Sequence, residues 1–158
     1  MTPPVIDIRT ARNIATLDPK AQANFTRFAL AAKATAATFD CDYIAIAGNR
    51  TWPQQDALYA QGRTLPGSKV TNARGGYSNH NFGIACDFGV FSKAAYLDES
   101  DPRLAEKVHR ACAVHAEDNG LAWGGTWESF QDTPHYEIST LLTLEQKRAR
   151  FQQKGSVL

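Results

Sequence analysis

The sequence predicts an α+β fold with a small antiparallel sheet. Segments with the two-residue alternation of a strand are few and short, and helical segments lie between them. No β-α-β rhythm repeats along the chain, which disfavours a parallel sheet. The 158 residues are enough for one folded domain.

Composition and charge exclude several classes of function. The formal net charge is +1 with acidic and basic residues interspersed, which gives no electrostatic footprint for nucleic acid. No apolar run approaches the length of a membrane span, so we expect no membrane insertion. The three cysteines lack metal-type spacing and predict buried free thiols. Residues 1–7 lack the basic start and apolar core of a secretory signal, so we expect synthesis in the cytoplasm without a signal peptide.

The first half of the chain predicts a long helix, a strand and a short helix. Asp18-Pro19 has the N-cap and first-turn proline of a helix that runs to about residue 39. A strand is expected over residues 43–47, with Ile44 and Ile46 facing inward. Thr51 has capping-box spacing to the glutamine at position 54, which predicts a helix over residues 52–61.

The second half predicts a functional loop, two strands and two helices. Residues 62–79 are rich in glycine, proline, serine and asparagine, and so long a connection in a compact domain is usually functional or disordered. A strand is expected over residues 84–90. Asp101-Pro102 begins a helix expected to turn His115 inward and His109 outward. Thr143 is expected to cap a last helix to about residue 154, with Leu144 inward, after a strand around residue 135.

Three side chains on these segments have the chemistry of a zinc site. Asp87 is flanked on its strand face by an alanine and a glycine, and small neighbours would leave room for a cleft. Gly83 would let the backbone turn so that His80 folds back toward Asp87. His135 supplies a third ligand from the later strand. Two histidines and one aspartate leave a fourth tetrahedral position for water, as in catalytic rather than structural zinc sites.

The residues around this site resemble a known family. The pattern Ser78-x-His80-x-x-Gly83-x-Ala85-x-Asp87, followed by Asp132-x-x-His135, is similar to the zinc D-Ala-D-Ala peptidase and L-alanyl-D-glutamate peptidase family, which includes many bacteriophage endolysins. Further matches to the endolysin branch extend the resemblance to roughly residues 44–138; they lie at positions 48–51, 55, 58–64, 66–67, 70–71 and 123–125. The resemblance implies a Hedgehog/DD-peptidase-like fold, with zinc on one face of the sheet and helices packed on the other.

The resemblance also implies roles for residues beyond the three zinc ligands. Asp132 resembles the family's catalytic acid/base, and Arg50 resembles the arginine that stabilises the oxyanion at the scissile carbonyl. The alternative interpretations are an exposed turn aspartate and a surface arginine paired with an acid. Ser78 and Gln55 could hydrogen-bond a peptide substrate, although Ser78 could equally hold its turn.

Two glutamates near the site have open roles. Glu128 is the reserve candidate for the acid/base. Glu137 shares a strand face with His135 and is either an acceptor that orients this ligand or a partner in a cross-strand ion pair.

The resemblance implies a zinc-dependent peptidoglycan peptidase, an endolysin that hydrolyses a stem-peptide bond, in the first instance L-Ala-D-Glu, by attack of zinc-bound water. A D-Ala-D-Ala carboxypeptidase or dipeptidase is one alternative. A non-catalytic zinc-containing binding module is another, and the presence of Asp132 and Arg50 argues against it. We expect residues 1–158 to form a single catalytic domain without a separate wall-binding domain, to be monomeric, and to act on cell-wall peptidoglycan after release from the cytoplasm.

Overall fold

The computed structural model describes residues 5–158. Residues 1–4, part of the stretch from which we predicted the absence of a signal peptide, lie outside the described residues. The helices are α1 (Ile8–Ala15), α2 (Pro19–Ala37), α3 (Trp52–Ala60), α4 (Leu97–Ser100), α5 (Pro102–Ala113) and α6 (Leu144–Lys154). The strands are β1 (Asp42–Ala47), β2 (Ala85–Ser92), β3 (Ala95–Tyr96), β4 (Ala122–Trp123) and β5 (His135–Glu137).

The five strands form one antiparallel sheet with β2 at its centre. The order is β1-β2-β5-β4, and the short β3 pairs with the far end of β2. Helices α2 and α5 pack together over one face of this sheet and enclose the main apolar core. The predicted α+β class with a small antiparallel sheet is therefore confirmed.

Side-chain caps fix where the helices begin. Asp18, Thr51, Asp101 and Thr143 each accept a hydrogen bond from the first turn of the helix that follows, as the sequence predicts. Helix α1 was missed by the sequence analysis. It is short and is held by tertiary contacts: Thr10 Oγ1 accepts from Ala45 N at 3.0 Å, and Asn13 Nδ2 donates to Ala45 O at 2.9 Å. The helix also has a local signal that went unused, because Asp7 caps it and accepts from Thr10 N at 2.8 Å.

Strand β1 faces the core with the residues opposite to those predicted. Tyr43 and Ala45 are buried under the helices, whereas Ile44 and Ile46 are only half-buried on the other face. The tyrosine faces inward because its hydroxyl finds buried partners there, 2.7 Å from His109 Nδ1 and 2.8 Å from the Tyr136 hydroxyl. A polar tip is tolerated in a core when it is hydrogen-bonded.

Helix α5 also turns a different residue inward. His109 was predicted to point outward but is buried, and its Nε2 donates to Asp98 Oδ1 at 2.6 Å. His115 is half-buried at the helix end, 2.8 Å from the Thr35 hydroxyl. Leu144, predicted inward on α6, is exposed. Apolar periodicity misplaces His109 because it does not account for a buried polar side chain that has hydrogen-bond partners.

Two further expectations concern the thiols and the membrane. Cys41, Cys86 and Cys112 are all buried and free, as predicted. Among the helices of residues 5–158, none combines the length and the apolar character needed to cross a membrane.

Candidate active site

A single turn of 3₁₀ helix, Asn79–Phe82, aims His80 at the sheet. Ser78 Oγ accepts from His80 N at 3.3 Å at the start of the turn. Gly83 ends it with a φ of 68°, and a Cβ there would lie 2.6 Å from Asp18 N, so both the conformation and the space require glycine. His80 Nδ1 donates to Gly48 O at 2.8 Å, which turns Nε2 toward Asp87.

The other two candidate ligands lie on neighbouring strands. Asp87 of β2 stands opposite His135 of β5 in the antiparallel register. Asp87 Oδ1 is 3.1 Å from His135 Nδ1 and 3.1 Å from His80 Nε2. From β2, Asp87 lines the cleft. Gly89, two residues further along the same strand face, is covered, and a Cβ there would lie 2.7 Å from the Tyr96 ring.

The structure thus brings together the three residues predicted from the sequence, and they could hold a metal ion. One donor atom from each of His80, Asp87 and His135 lies within 4.8 Å of the other two. Four ligands at about 2.0–2.1 Å around a tetrahedral zinc are separated by about 3.3 Å, close to the observed 3.1 Å contacts. The donor set and its spacing fit zinc.

Glu137 is the acceptor that orients His135. Its Oε2 accepts from His135 Nε2 at 2.7 Å and from Asn79 Nδ2 at 2.8 Å. A carboxylate behind a metal-binding histidine fixes the tautomer and the plane of the ring. Of the two roles left open for Glu137, the geometry favours the orienting one.

Burial and close charges shift the pKa values of this group. Burial raises the pKa of Asp87, but His80 and His135 outweigh it and hold that pKa well below its usual range. Burial lowers the pKa of His135, but hydrogen bonds to Asp87 and Glu137 outweigh it and raise the pKa to about 9. For Glu137, hydrogen bonds from His135 and Asn79 overcome the effect of burial and lower the pKa. In the metal-free protein, these shifts keep Asp87 and Glu137 ionised and favour the positively charged imidazolium form of His135.

Arg50 lies on the wall beside Asp87. Its Nη2 is 3.3 Å from Asp87 Oδ2, and its Nη1 donates to Gln55 Oε1 at 2.9 Å. The backbone of Arg50 is tied to the turn that carries His80, because Arg50 N donates to His80 O at 3.0 Å and Asn81 Nδ2 donates to Arg50 O at 2.9 Å. Arg50 and the candidate ligand His80 are therefore held in place by the same turn.

Gln55 lies behind Arg50 rather than on the open wall. It is fully buried; its amide nitrogen donates to Ala73 O at 2.9 Å and to the Thr71 hydroxyl at 3.3 Å. Because both ends of the amide are engaged by protein, the substrate contact predicted for Gln55 needs correction. The residue instead positions Arg50 and the loop at residues 71–73. Ser78 caps the turn and also lines the cleft, so both roles considered for it stay available.

Asp132 lies on the cleft wall in the turn that leads into β5. Asp132 O accepts from His135 N at 3.1 Å, and Asp132 N donates to Gly124 O at 3.0 Å. A Cβ at Gly124 would lie 2.5 Å from Asp132 O, so this close approach requires glycine. Burial, followed by the charge of Asp87, raises the pKa of Asp132. Glu128, the reserve candidate, is exposed on the preceding loop.

The cleft around these side chains has a volume of about 780 Å³. The predicted functional loop supplies one wall, and several lining residues were not predicted to lie there: Asn72, Tyr77, Asn79, Phe130 and Lys147. No spacing motif marks them. Lys147 reaches the cleft only through the docking of α6, which a local pattern does not show.

Comparisons with known proteins identify relatives in sequence. A family model described as D-alanyl-D-alanine carboxypeptidase, in the peptidase M15 group, matches residues 71–138. This range contains all three candidate ligands and Asp132. The peptidoglycan L-alanyl-D-glutamate endopeptidase CwlK of Bacillus subtilis is 41% identical over 112 residues, which cover 68% of this chain and 67% of CwlK.

Solved structures share the fold. The L-Ala D-Glu endopeptidase ChiX of Serratia marcescens superposes with a TM-score of 0.56 at 18% identity, covering 86% of this chain and 91% of ChiX. The LD-carboxypeptidase LdcB gives a TM-score of 0.55 at 21% identity, over 88% of this chain and 72% of LdcB. At these identities the two structures support the fold alone. The identity with CwlK over two thirds of both chains shows that the chain belongs to the peptidase M15 family of metallopeptidases.

Proposed function

We propose that the chain is a zinc-dependent peptidoglycan peptidase that hydrolyses the L-Ala-D-Glu bond of the stem peptide. The observation that supports this most directly is the 41% identity with CwlK, whose name gives it this activity. The matched family range includes the three-ligand cluster and the acid beside it. The proposal therefore rests on a similar sequence together with a cleft that has the chemistry for hydrolysis.

We assign zinc to the cluster formed by His80, Asp87 and His135. The fit rests on the donor set, on the 3.1 Å separations, and on the two hydrogen bonds that engage one nitrogen of each histidine and turn the other toward Asp87. Zinc bound there would polarise the substrate carbonyl and lower the pKa of a water molecule.

Two catalytic tasks remain, proton transfer for Asp132 and charge stabilisation for Arg50. Asp132 lies on the cleft wall with a raised pKa, as suits a group that accepts a proton and later returns it to the leaving amine. Arg50 faces the same cleft, and its guanidinium is held on one side by Gln55. Fixed donors of this kind stabilise the negative charge that develops on a carbonyl oxygen during acyl transfer.

A D-Ala-D-Ala carboxypeptidase is the second candidate, because the matching family model is described by that activity. The same zinc cluster, acid and arginine would serve both reactions. The two candidates differ in the bond that lies over the cluster.

We also propose an endolysin role, with action on the cell wall after release from the cytoplasm. Its support is the set of motifs shared with the endolysin branch, from Arg50 through Trp123-Gly124-Gly125. In the structure, two of these motifs have physical tasks at the cleft: Arg50 lines it, and Gly124 admits the turn that carries Asp132.

Digestion of purified peptidoglycan with the zinc-loaded protein tests the function. The expected products carry a new D-Glu amino terminus and leave L-Ala on the muramic acid, which amino-group labelling and mass spectrometry detect. Release of free D-Ala with an intact L-Ala-D-Glu bond would instead establish the carboxypeptidase. Lysis of host cells on expression of the chain with a membrane pore, but not without it, tests the endolysin role.

A further inference from the structure

Lys147 places an unpaired cation on the cleft wall. The residue lies near the start of α6, half-buried, and its Nζ donates to Asn79 Oδ1 at 2.9 Å. An ammonium group has three donors, and this contact uses one of them. Within residues 5–158, no carboxylate lies within ion-pair distance of Lys147. The Lys147 ammonium group can therefore bind an anionic group of a ligand in the cleft.

Lys147 ends a continuous series of polar contacts that crosses the cleft. Six side chains form it, in the order Arg50, Asp87, His135, Glu137, Asn79 and Lys147. Neighbours in the series are 2.7–3.3 Å apart. Two of the candidate ligands, Asp87 and His135, lie inside the series, and a cation stands at each end. A substrate lying over the ligands would therefore have Arg50 on one side and Lys147 on the other.

The proposed substrate has two groups that match these cations. Its scissile carbonyl develops negative charge, which suits Arg50. D-Glu is joined to the following residue through its γ-carboxyl, so its α-carboxylate is free and is attached to the carbon next to the scissile nitrogen. A substrate that turns its carbonyl oxygen to Arg50 and its leaving group to the Lys147 side would bring this carboxylate to the ammonium group.

We propose that Lys147 binds the D-Glu α-carboxylate and makes the enzyme prefer stem peptides in which this group is free over those in which it is amidated. The inference rests on the proposed function and adds a determinant of specificity to it. An ammonium-carboxylate hydrogen bond is stronger than the ammonium-amide contact that would replace it. A neutral carboxamide would also leave Lys147 with only the more distant charge of Glu137 to balance it in a partly desolvated cleft.

Lys147 has a second effect that the test must separate from substrate binding. Its contact with Asn79 holds the amide so that Asn79 Nδ2 donates to Glu137. Loss of this contact would loosen Glu137 and the His135 ring that it orients. The reaction would then slow equally for substrates with a free and with an amidated α-carboxylate. Only a change in preference between two substrates reports on carboxylate binding.

The experiment uses three synthetic peptides that are N-acylated, contain the L-Ala-D-Glu bond and continue to a third residue through the γ-carboxyl of D-Glu. The first has all carboxylates free, the second has the D-Glu α-carboxylate amidated, and the third has a side-chain carboxylate of the third residue amidated instead. The zinc-loaded wild-type protein should cleave the first and third with similar kcat/KM, and the second roughly tenfold more slowly. Lys147→Gln should bring the ratio of first to second near one, and Lys147→Arg should largely retain it.

Lys154→Gln is the matched control, because Lys154 is exposed at the far end of the same helix. It should keep the wild-type ratio. Equal loss on all peptides in Lys147→Gln, with an unchanged ratio, would assign Lys147 to positioning Asn79 and overturn the inference. Discrimination only against the third peptide would overturn it in favour of a more distant carboxylate. Cleavage of none of the peptides by the wild-type protein would overturn the proposed function as well, whereas equal cleavage of the first two would overturn the inference alone.

Discussion

Asp87 and His135 stand opposite each other on adjacent antiparallel strands, with Asp87 Oδ1 3.1 Å from His135 Nδ1. Side chains directly opposed in such a pair lie on the same face of the sheet. A slip of one residue would turn His135 into the core and bring Tyr136 to the cleft. Tyr136 opposes this slip, because it is fully buried and its hydroxyl is 2.8 Å from that of Tyr43. The core thus sets the register on which the candidate site depends.

The first prediction is one zinc ion per chain, lost when a ligand is removed. His135→Ala should bring the zinc content close to zero, because two protein ligands remain. Glu137→Gln should retain the site but weaken zinc binding by roughly 10–100-fold, because the acceptor behind the ring changes. Elemental analysis and competition with a chelator measure both effects. His115→Ala is the control, since His115 contacts Thr35 on a distant helix and should leave the zinc content unchanged.

The second prediction concerns the proton acceptor. Asp132→Asn keeps the shape of the side chain and should lower kcat by roughly 10²–10⁴-fold. Zinc content should stay at the wild-type level, because Asp132 is not among the three clustered ligands. Glu128→Gln, on the exposed loop nearby, should keep nearly full activity. The reverse pattern, with Asp132→Asn active and Glu128→Gln inactive, would transfer the role to Glu128.

The third prediction separates Arg50 from the residue that holds it. Arg50→Ala should lower kcat by roughly 10²-fold or more with a smaller change in KM, if the guanidinium binds only the developing charge. Gln55→Leu should give a weaker effect of the same kind, because Arg50 loses one acceptor but stays in the cleft. Steady-state kinetics on a synthetic stem peptide measure both variants. A change confined to KM in Arg50→Ala would make this residue a substrate anchor instead.

The fourth prediction concerns the stability of the metal-free protein against pH. The pKa of His135 is raised from its ordinary 6.5 to about 9, so its protonated form stabilises the fold fully below about pH 6.5. This stabilisation is lost as the pH rises toward about 9. Thermal unfolding in chelator should therefore show a Tm that falls over this interval, with a smaller fall in His135→Gln. Zinc takes the place of the proton, so the zinc-loaded protein should lack this fall. Equal slopes in the wild-type and variant apoproteins would contradict the assignment.

The sequence predicts the cluster well because local chemistry determines much of it. Strand alternation places Asp87 and His135 on the cleft-facing side of the sheet, away from the apolar core, and Gly83 marks the turn that returns His80. The helix caps are similarly local. Gln55 shows the limit, because its type suits substrate binding and only the packing around it shows that both ends of its amide are occupied.

Residues placed by tertiary contacts escaped prediction for the same reason. His109 is buried because Tyr43 and Asp98 meet it from two other elements. Lys147 reaches the cleft through the docking of α6, where Phe151 packs on Phe82. Each of these placements depends on pairs of residues far apart in sequence, which periodicity and spacing do not register.

The series of contacts from Arg50 to Lys147 also bears on the order of events during synthesis. Its members come from positions 50, 79, 87, 135, 137 and 147, so the last contact joins segments separated by 68 residues. Long-range contacts form late, because the chain must first lose the entropy of closing the loop between them. A nascent chain can therefore form α2, whose backbone contacts are local, before the pairing of β2 with β5 completes the cleft. Zinc capture, which needs His135 in register, should follow rather than guide the collapse of the core, so that only chains already near the native state acquire the metal.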